Sequence, residues 1–240
     1  EAQDSLVDVR TGKATPLPES ITRLARRPHG YQVSANGTML FEGTDRESGT
    51  NQLYVVDVGG TGARPLTSDA LGASSGSWSP DGTSIVYLGG WKNVFDLDLS
   101  AQLSVIETST VKITRLARGR AGDLLAPFFG TDGRSILFTR GDAAAGSLLD
   151  DQPQADLWEI PAVGGHPTIF LEDIGFATYP SDGKPIAYTQ DVYWREGHGG
   201  GVYPEIWLAN VAGDDAHLLV RGSDPRWSPD GTRIAYMWGG

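Results

Sequence analysis

The sequence predicts an all-β fold, a five-bladed β-propeller of four-stranded antiparallel blades, and three observations predict it. A corner motif recurs five times at near-constant spacing, an alternating apolar run follows each copy, and a second hairpin fills each period. The copies are Val33-Ser34-Ala35-Asn36-Gly37, Trp78-Ser79-Pro80-Asp81-Gly82, Phe129-Gly130-Thr131-Asp132-Gly133, Tyr179-Pro180-Ser181-Asp182-Gly183 and Trp227-Ser228-Pro229-Asp230-Gly231. Their glycines stand 45, 51, 50 and 48 residues apart, the period of a four-stranded blade.

Asp-Gly or Asn-Gly between apolar runs is a hairpin signal, because both residues tolerate positive φ. Each corner therefore joins the first two strands of a blade. Four corners are followed by Ile85-Val86-Tyr87, Ile136-Leu137-Phe138, Ile186-Ala187-Tyr188 and Ile234-Ala235-Tyr236. The isoleucine and the aromatic, two apart, share one strand face, and these faces are expected to pack between blades. The first run, Met39-Leu40-Phe41, is one residue out of step, which predicts a bulge or a shorter turn.

The second hairpins follow Leu53-Tyr54-Val55-Val56-Asp57, Leu157-Trp158-Glu159-Ile160 and Ile206-Trp207-Leu208, each ahead of a glycine turn. The second period is the least regular, since Leu103-Ser104-Val105-Ile106 reaches Val111-Lys112-Ile113 without glycine. Four blades are thus expected over residues 21–69, 70–118, 119–172 and 173–220. The fifth is split, with residues 1–20 pairing with 221–240, a closure that removes open sheet edges.

Composition narrows the function classes. A net charge of -11 opposes binding to polyphosphates, so no nucleic-acid partner is expected. No apolar run reaches the roughly 18 residues of a spanning helix, so no membrane insertion is expected. The sequence has no cysteine, which fits an exported bacterial protein. The expected location is periplasmic or secreted, with any export signal outside this sequence, and the expected state is a monomer.

The pattern Trp-Ser-Pro-Asp-Gly-Thr-x-Ile-Ala-Tyr, with Leu53-Tyr54-Val55-Val56-Asp57-Val58 and then Arg64-Pro65-Leu66-Thr67, resembles the TolB-type propeller repeat. The resemblance covers essentially the whole chain and is specific for fold. It implies one of three roles: a protein-binding scaffold, a gating propeller of a peptidase, or a sugar-acting enzyme. Two features of TolB, more blades and an extra N-terminal domain, are not visible in this sequence.

In such a fold the corners lie on one face, and the second-to-third loops and blade-to-blade connections lie on the other. The second-to-third loops, Thr44 to Asn51, Gly89 to Gln102, Arg140 to Ala155 and Gln190 to Glu205, are long and varied, as binding loops are. Trp91, Phe95, Tyr193, Trp194 and Tyr203 are candidates to stack on sugars or bury in a partner protein, peptide or glycan. Asp96, Asp98, Asp150, Asp151, Asp191 and Glu196 supply carboxylates there, and His198 is the one histidine in such a loop.

The connections carry Glu19, Asp69, Asp123, Glu172, Asp173 and Asp224. A convergent ring of these acids would suit calcium, a hard cation with oxygen ligands; solvated or turn-capping acids are the simpler reading, and no other cofactor is expected. For an enzyme, Asp123, Asp173 and Asp224, each shortly before a first strand, are the candidate acid, base or nucleophile of a glycoside hydrolase or lyase. Two arginine clusters, Arg23, Arg26 and Arg27 near His29, and Arg115, Arg118 and Arg120, are expected in connections and paired with carboxylates. Gly72-Ala73-Ser74-Ser75-Gly76 and His198-Gly199-Gly200-Gly201 match esterase strings in the wrong order and context, and are read as glycine loops.

Overall fold

A computed structural model of the chain describes residues 5–7, 14–90, 100–120, 124–141, 155–174, 177–178, 185–196, 199–210, 213–228 and 231–238. It opens with a small hairpin, β1 (Ser5–Val7) and β2 (Ala14–Pro16), and a short helix, α1 (Glu19–Leu24). Four antiparallel four-stranded sheets follow. The first holds β3 (Ala25–Val33), β4 (Thr38–Asp45), β5 (Asn51–Asp57) and β6 (Arg64–Pro65). The second holds β7 (Ala73–Trp78), β8 (Ser84–Gly89), β9 (Ser100–Glu107) and β10 (Ile113–Arg120). The third holds β11 (Leu124–Phe129), β12 (Ser135–Gly141), β13 (Ala155–Pro161) and β14 (Thr168–Ile174). The fourth holds β15 (Ala177–Thr178), β16 (Ile186–Glu196), β17 (Gly199–Ala209) and β18 (His217–Arg221). A hairpin of β19 (Ser223–Trp227) and β20 (Ile234–Met237) ends the series.

The corner is a self-contained hydrogen-bonded unit. Gly82 donates its N–H to the Ser79 carbonyl at 2.9 Å, and the Ser79 hydroxyl accepts the Ser84 N–H at 2.9 Å while donating to Asp81 Oδ1 at 2.6 Å. Asp81 Oδ1 also accepts the Thr83 N–H at 3.0 Å. These bonds, first from the Ser79 hydroxyl and then from Thr83, hold the Asp81 carboxyl below its ordinary pKa. The same glycine-to-serine bond closes the corner of β19 and β20, from Gly231 to Ser228 at 2.9 Å. Gly37, Gly82, Gly133 and Gly231 all take left-handed φ, between 66° and 80°, where a Cβ would be strained.

The first corner is shorter by one residue. Ser34 N–H bonds the carbonyl of Thr38, four residues on, whereas Ser79, Gly130 and Ser228 bond the carbonyls of Ser84, Ser135 and Arg233, five residues on. This shorter turn accounts for the offset of Met39-Leu40-Phe41.

Second strands alternate between neighbours, because successive side chains leave opposite faces of a strand. In β8, Ile85 and Tyr87 pack with Leu40, Leu53 and Val55 of the first sheet, while Val86 and Leu88 pack with Leu124, Phe129, Ile136 and Phe138 of the third. In β12, Leu137 turns the other way, onto Ile186 and Tyr188 of the fourth. Fully burying such a side chain stabilises the fold by roughly 1.5–3 kcal/mol, so each sheet depends on both neighbours.

The ends depart from the expected closure. Among the described residues β1 pairs with β2 and β20 with β19, and no ladder joins β20 to β1. The face of the first sheet that looks back along the chain is instead covered by α1, whose Ile21 packs fully buried with Met39, Phe41 and Tyr54. The sequence reading missed this helix because six residues carry too little periodicity. Glu19 and Arg23, expected in a connection, lie on α1 and pair at 2.6 Å on its surface. Arg46 closes its far end, donating to the carbonyls of Thr22 at 2.5 Å and Arg23 at 3.0 Å.

Other expected loops and connections are strands. Gln190 to Glu205 lies almost wholly in β16 and β17, whose register runs from Gln190↔Glu205 to Glu196↔Gly199. Ala73 to Gly76 lies in β7 and Gly199 to Gly201 in β17, not in loops. Arg26, Arg27 and His29 lie in β3, and Arg115, Arg118 and Arg120 in β10. Glu172 and Asp173 lie in β14 and Asp224 in β19. Strand pairing overrides weak local propensity at these positions. In the second period Val111 occupies the turn where other sheets have glycine, at φ 57°, a strained conformation for a β-branched residue.

Candidate binding site: the axial cavity

The first strands of the sheets converge on one cavity of about 810 Å³, lined by residues 30–32 of β3, 75–78 of β7, 126–129 of β11, 177–178 of β15 and Arg226 of β19. Each of β3, β7, β11 and β19 carries a bulge at the same place in the repeat. Gly30, Ser75, Ala126 and Asp224, each seven residues before its corner glycine, take φ of 65°, 54°, 44° and 52°. Register shifts bracket them, between His29 and Gln32, Ser74 and Ser77, Leu125 and Phe128, and Ser223 and Arg226.

A bulge interrupts the ladder and leaves backbone groups to be satisfied elsewhere. In β11 and β19 the residue after the left-handed one is a proline, Pro127 and Pro225, which has no N–H to leave unpaired. In β7 it is Gly76, whose N–H is accepted by Glu42 Oε1 at 3.3 Å. A side chain at Gly76 would meet Leu40 Cδ2 at 3.0 Å and Leu53 Cδ2 at 3.2 Å, so glycine lets β7 lie close to the first sheet.

Glu42 is the one carboxylate among the described residues lining the cavity. Its Oε2 accepts from Asn51 Nδ2 at 3.1 Å and lies 3.7 Å from His29 Nε2. Arg226 is the one described cationic lining residue, and Tyr31, Trp78, Phe128 and Phe129 supply the aromatic wall. The cavity thus offers ring faces, bulge backbone and one charge of each sign. Among the described residues no three His, Asp or Glu side chains are grouped to hold a metal.

The sequence-derived binding and catalytic candidates that are described lie in strands. Tyr203 lies in β17 under the Arg221 guanidinium, 4.1 Å from its ring centroid. Asp191 is exposed in β16, opposite Pro204. Tyr193, Trp194 and Glu196 fall in β16. Asp224 sits exposed at its bulge with the Ser223 hydroxyl 3.2 Å from its Oδ2. Trp91, Phe95, Asp96, Asp98, Asp123, Asp150, Asp151 and His198 lie outside the described residues. The cavity-lining residues were missed; their signal, a Gly, Ser, Ala or Asp seven places before Gly37, Gly82, Gly133 and Gly231, has no apolar periodicity.

No protein-family profile matches the chain. A relative from Agrobacterium fabrum, the uncharacterized protein Atu1656, is 26% identical over 92% of this chain and 74% of its own length. Among solved structures, a TolB-type protein from Agrobacterium tumefaciens superposes with a TM-score of 0.66 at 19% identity, over 94% of this chain and 78% of its own. TolB from Acinetobacter baumannii gives 0.66 at 14%, covering 96% of this chain and 52% of its own, so this chain spans about half of that protein. The fold is that of a TolB-type β-propeller, and the proteins it resembles here are bacterial. No helix among the described residues is long and apolar enough to cross a membrane.

Proposed function

We propose that the protein is a non-catalytic binding propeller that holds a protein, peptide or glycan at its axial cavity and the long-loop face around it, as a monomer outside the cytoplasm. The cavity carries this reading. Its volume of about 810 Å³ is in the range of ligand pockets, about 300–1,000 Å³. Aromatic walls with a few fixed polar groups are what recognition sites use. The bulges support it too, since strained backbone held at one repeat position is a common accompaniment of function. The cysteine-free sequence fits an exported bacterial protein.

The test is capture on an array of immobilised peptides and oligosaccharides. For probes held by the unmodified protein, Glu42→Gln and Arg226→Gln should each weaken binding by about tenfold or more, the size of a lost charged contact, with the circular dichroism spectrum at the assay temperature that of the parent chain. Trp91→Ala, Tyr193→Ala and Trp194→Ala should do the same for ligands reaching the long-loop face. Capture indifferent to all five substitutions, or no capture at all, would remove the proposal.

A further inference from the structure

Beyond the axial cavity, the geometry points to a strand-addition site on the outer edge of β16, over Asp191 to Arg195, for an extended, non-acidic segment of a partner protein. In the first three sheets the first strand covers the second to its last or next-to-last residue, at Ala25↔Asp45, Ala73↔Gly89 and Leu124↔Arg140. In the fourth, β15 reaches only Ala177↔Tyr188, while β16 and β17 continue as a two-stranded ribbon to Glu196↔Gly199. Among the described residues nothing pairs with β16 beyond Tyr188 on that side.

The two edges of this ribbon differ. Gly222 donates its N–H to the Pro204 carbonyl at 2.9 Å, so Pro204 directs its backbone away from β16, and by the alternation of antiparallel ladders so do Val202 and Gly200. On that edge Pro204 has no N–H and its carbonyl is taken, the device that blunts sheet edges. On the opposite edge the partner register directs Asp191, Tyr193 and Arg195 outward. This row of three N–H and three C=O groups, roughly 16 Å long at about 3.3 Å per residue, has no proline.

Only an extended backbone matches alternating donors and acceptors at this spacing. A chain of net charge -11 repels a second copy of itself and favours a neutral or basic strand. The inference rests on the reading that this face binds a macromolecule, but uses an element apart from the cavity.

The experiment is amide hydrogen exchange read residue by residue, with and without the peptide Lys-Thr-Val-Thr-Val-Thr-Lys at millimolar concentration. In the protein alone the amides of Asp191, Tyr193 and Arg195 should exchange fast, and those of Val192 and Trp194, bonded to β17, slowly. The peptide should slow the first three by about tenfold or more, and its form N-methylated at alternate residues should not. Arg195→Pro, which removes one outward N–H, should abolish the effect while Arg195→Thr keeps it. Slow exchange without peptide at all concentrations means the chain covers its own edge, slowing that grows with protein concentration means self-association, and no slowing by the peptide means no site; each overturns the proposal. Glu42→Gln leaves the exchange signal of β16 intact, so failure of the cavity reading and of this one are separately visible.

Discussion

The two ends of the row of sheets meet the same problem and resolve it differently. At the beginning, the backward face of the first sheet is sealed by α1, and Ile21, Met39 and Phe41 are fully buried. At the end, no element among the described residues pairs with the free edge of β20, and Met237 is 62% exposed. Leu88 and Met237 both stand six residues after their corner glycines, yet Leu88 is 0% exposed because the third sheet packs on it. Burial in this fold is therefore a property of the neighbouring sheet rather than of the strand's own pattern.

The sharpest way to break this comparison is to truncate equivalent positions. Leu88→Ala and Ile21→Ala should each cost about 2–5 kcal/mol in denaturant unfolding, and Met237→Ala within about 0.5 kcal/mol, as surface positions do. A cost for Met237→Ala approaching that of Leu88→Ala would mean that β20 is covered in solution, as a closed fifth blade requires.

Corner glycines give a smaller contrast. An alanine at Gly82, φ 67°, would place its Cβ 3.2 Å from Ser34 Cβ, and Asn36 Nδ2 bonds the Gly82 carbonyl at 3.1 Å. At Gly37, φ 80°, nothing stands within 4 Å. Both substitutions pay the left-handed backbone, about 1–2 kcal/mol, and Gly82→Ala should cost measurably more by disturbing the neighbouring corner. Equal midpoint shifts in urea would show that the corners do not support one another.

Alkaline titration probes the sealed end. Burial, then the adjacent Asp45 carboxylate and its hydrogen bond, push the Tyr54 hydroxyl up to about 12. An unfolded tyrosine ionises near 10, so this group's contribution is whole below pH 10 and lost as pH rises toward about 12, on the order of 1 kcal/mol. Tyr54→Phe should flatten stability over that window relative to the parent chain. An unchanged slope would mean that α1 leaves Tyr54 open to water.

Much of the fold was legible because corners and strands are local. Asn-Gly and Asp-Gly at a fixed period announce turns, and Ile-x-aromatic triplets announce two-faced strands, so the hairpin order could be read directly. The site was far less legible. Gly30, Ser75, Ala126 and Asp224 share no chemistry, only a place in the repeat, and what unites them is a backbone conformation imposed by pairing. The ribbon of β16 and β17 carries a loop signal in sequence because Gly199-Gly200-Gly201 has low strand propensity, which eleven consecutive paired residues of β16 outweigh.

Sequence alone thus determined the all-β class, the period and the chemistry of the corners, since these depend on interactions within a few residues. Tertiary structure alone decided that α1 seals the first sheet, that the bulges meet around a cavity, and that β16 outruns β15. Those outcomes depend on which surfaces lie opposite one another in space, and contacts of that kind leave no periodic trace in a single chain.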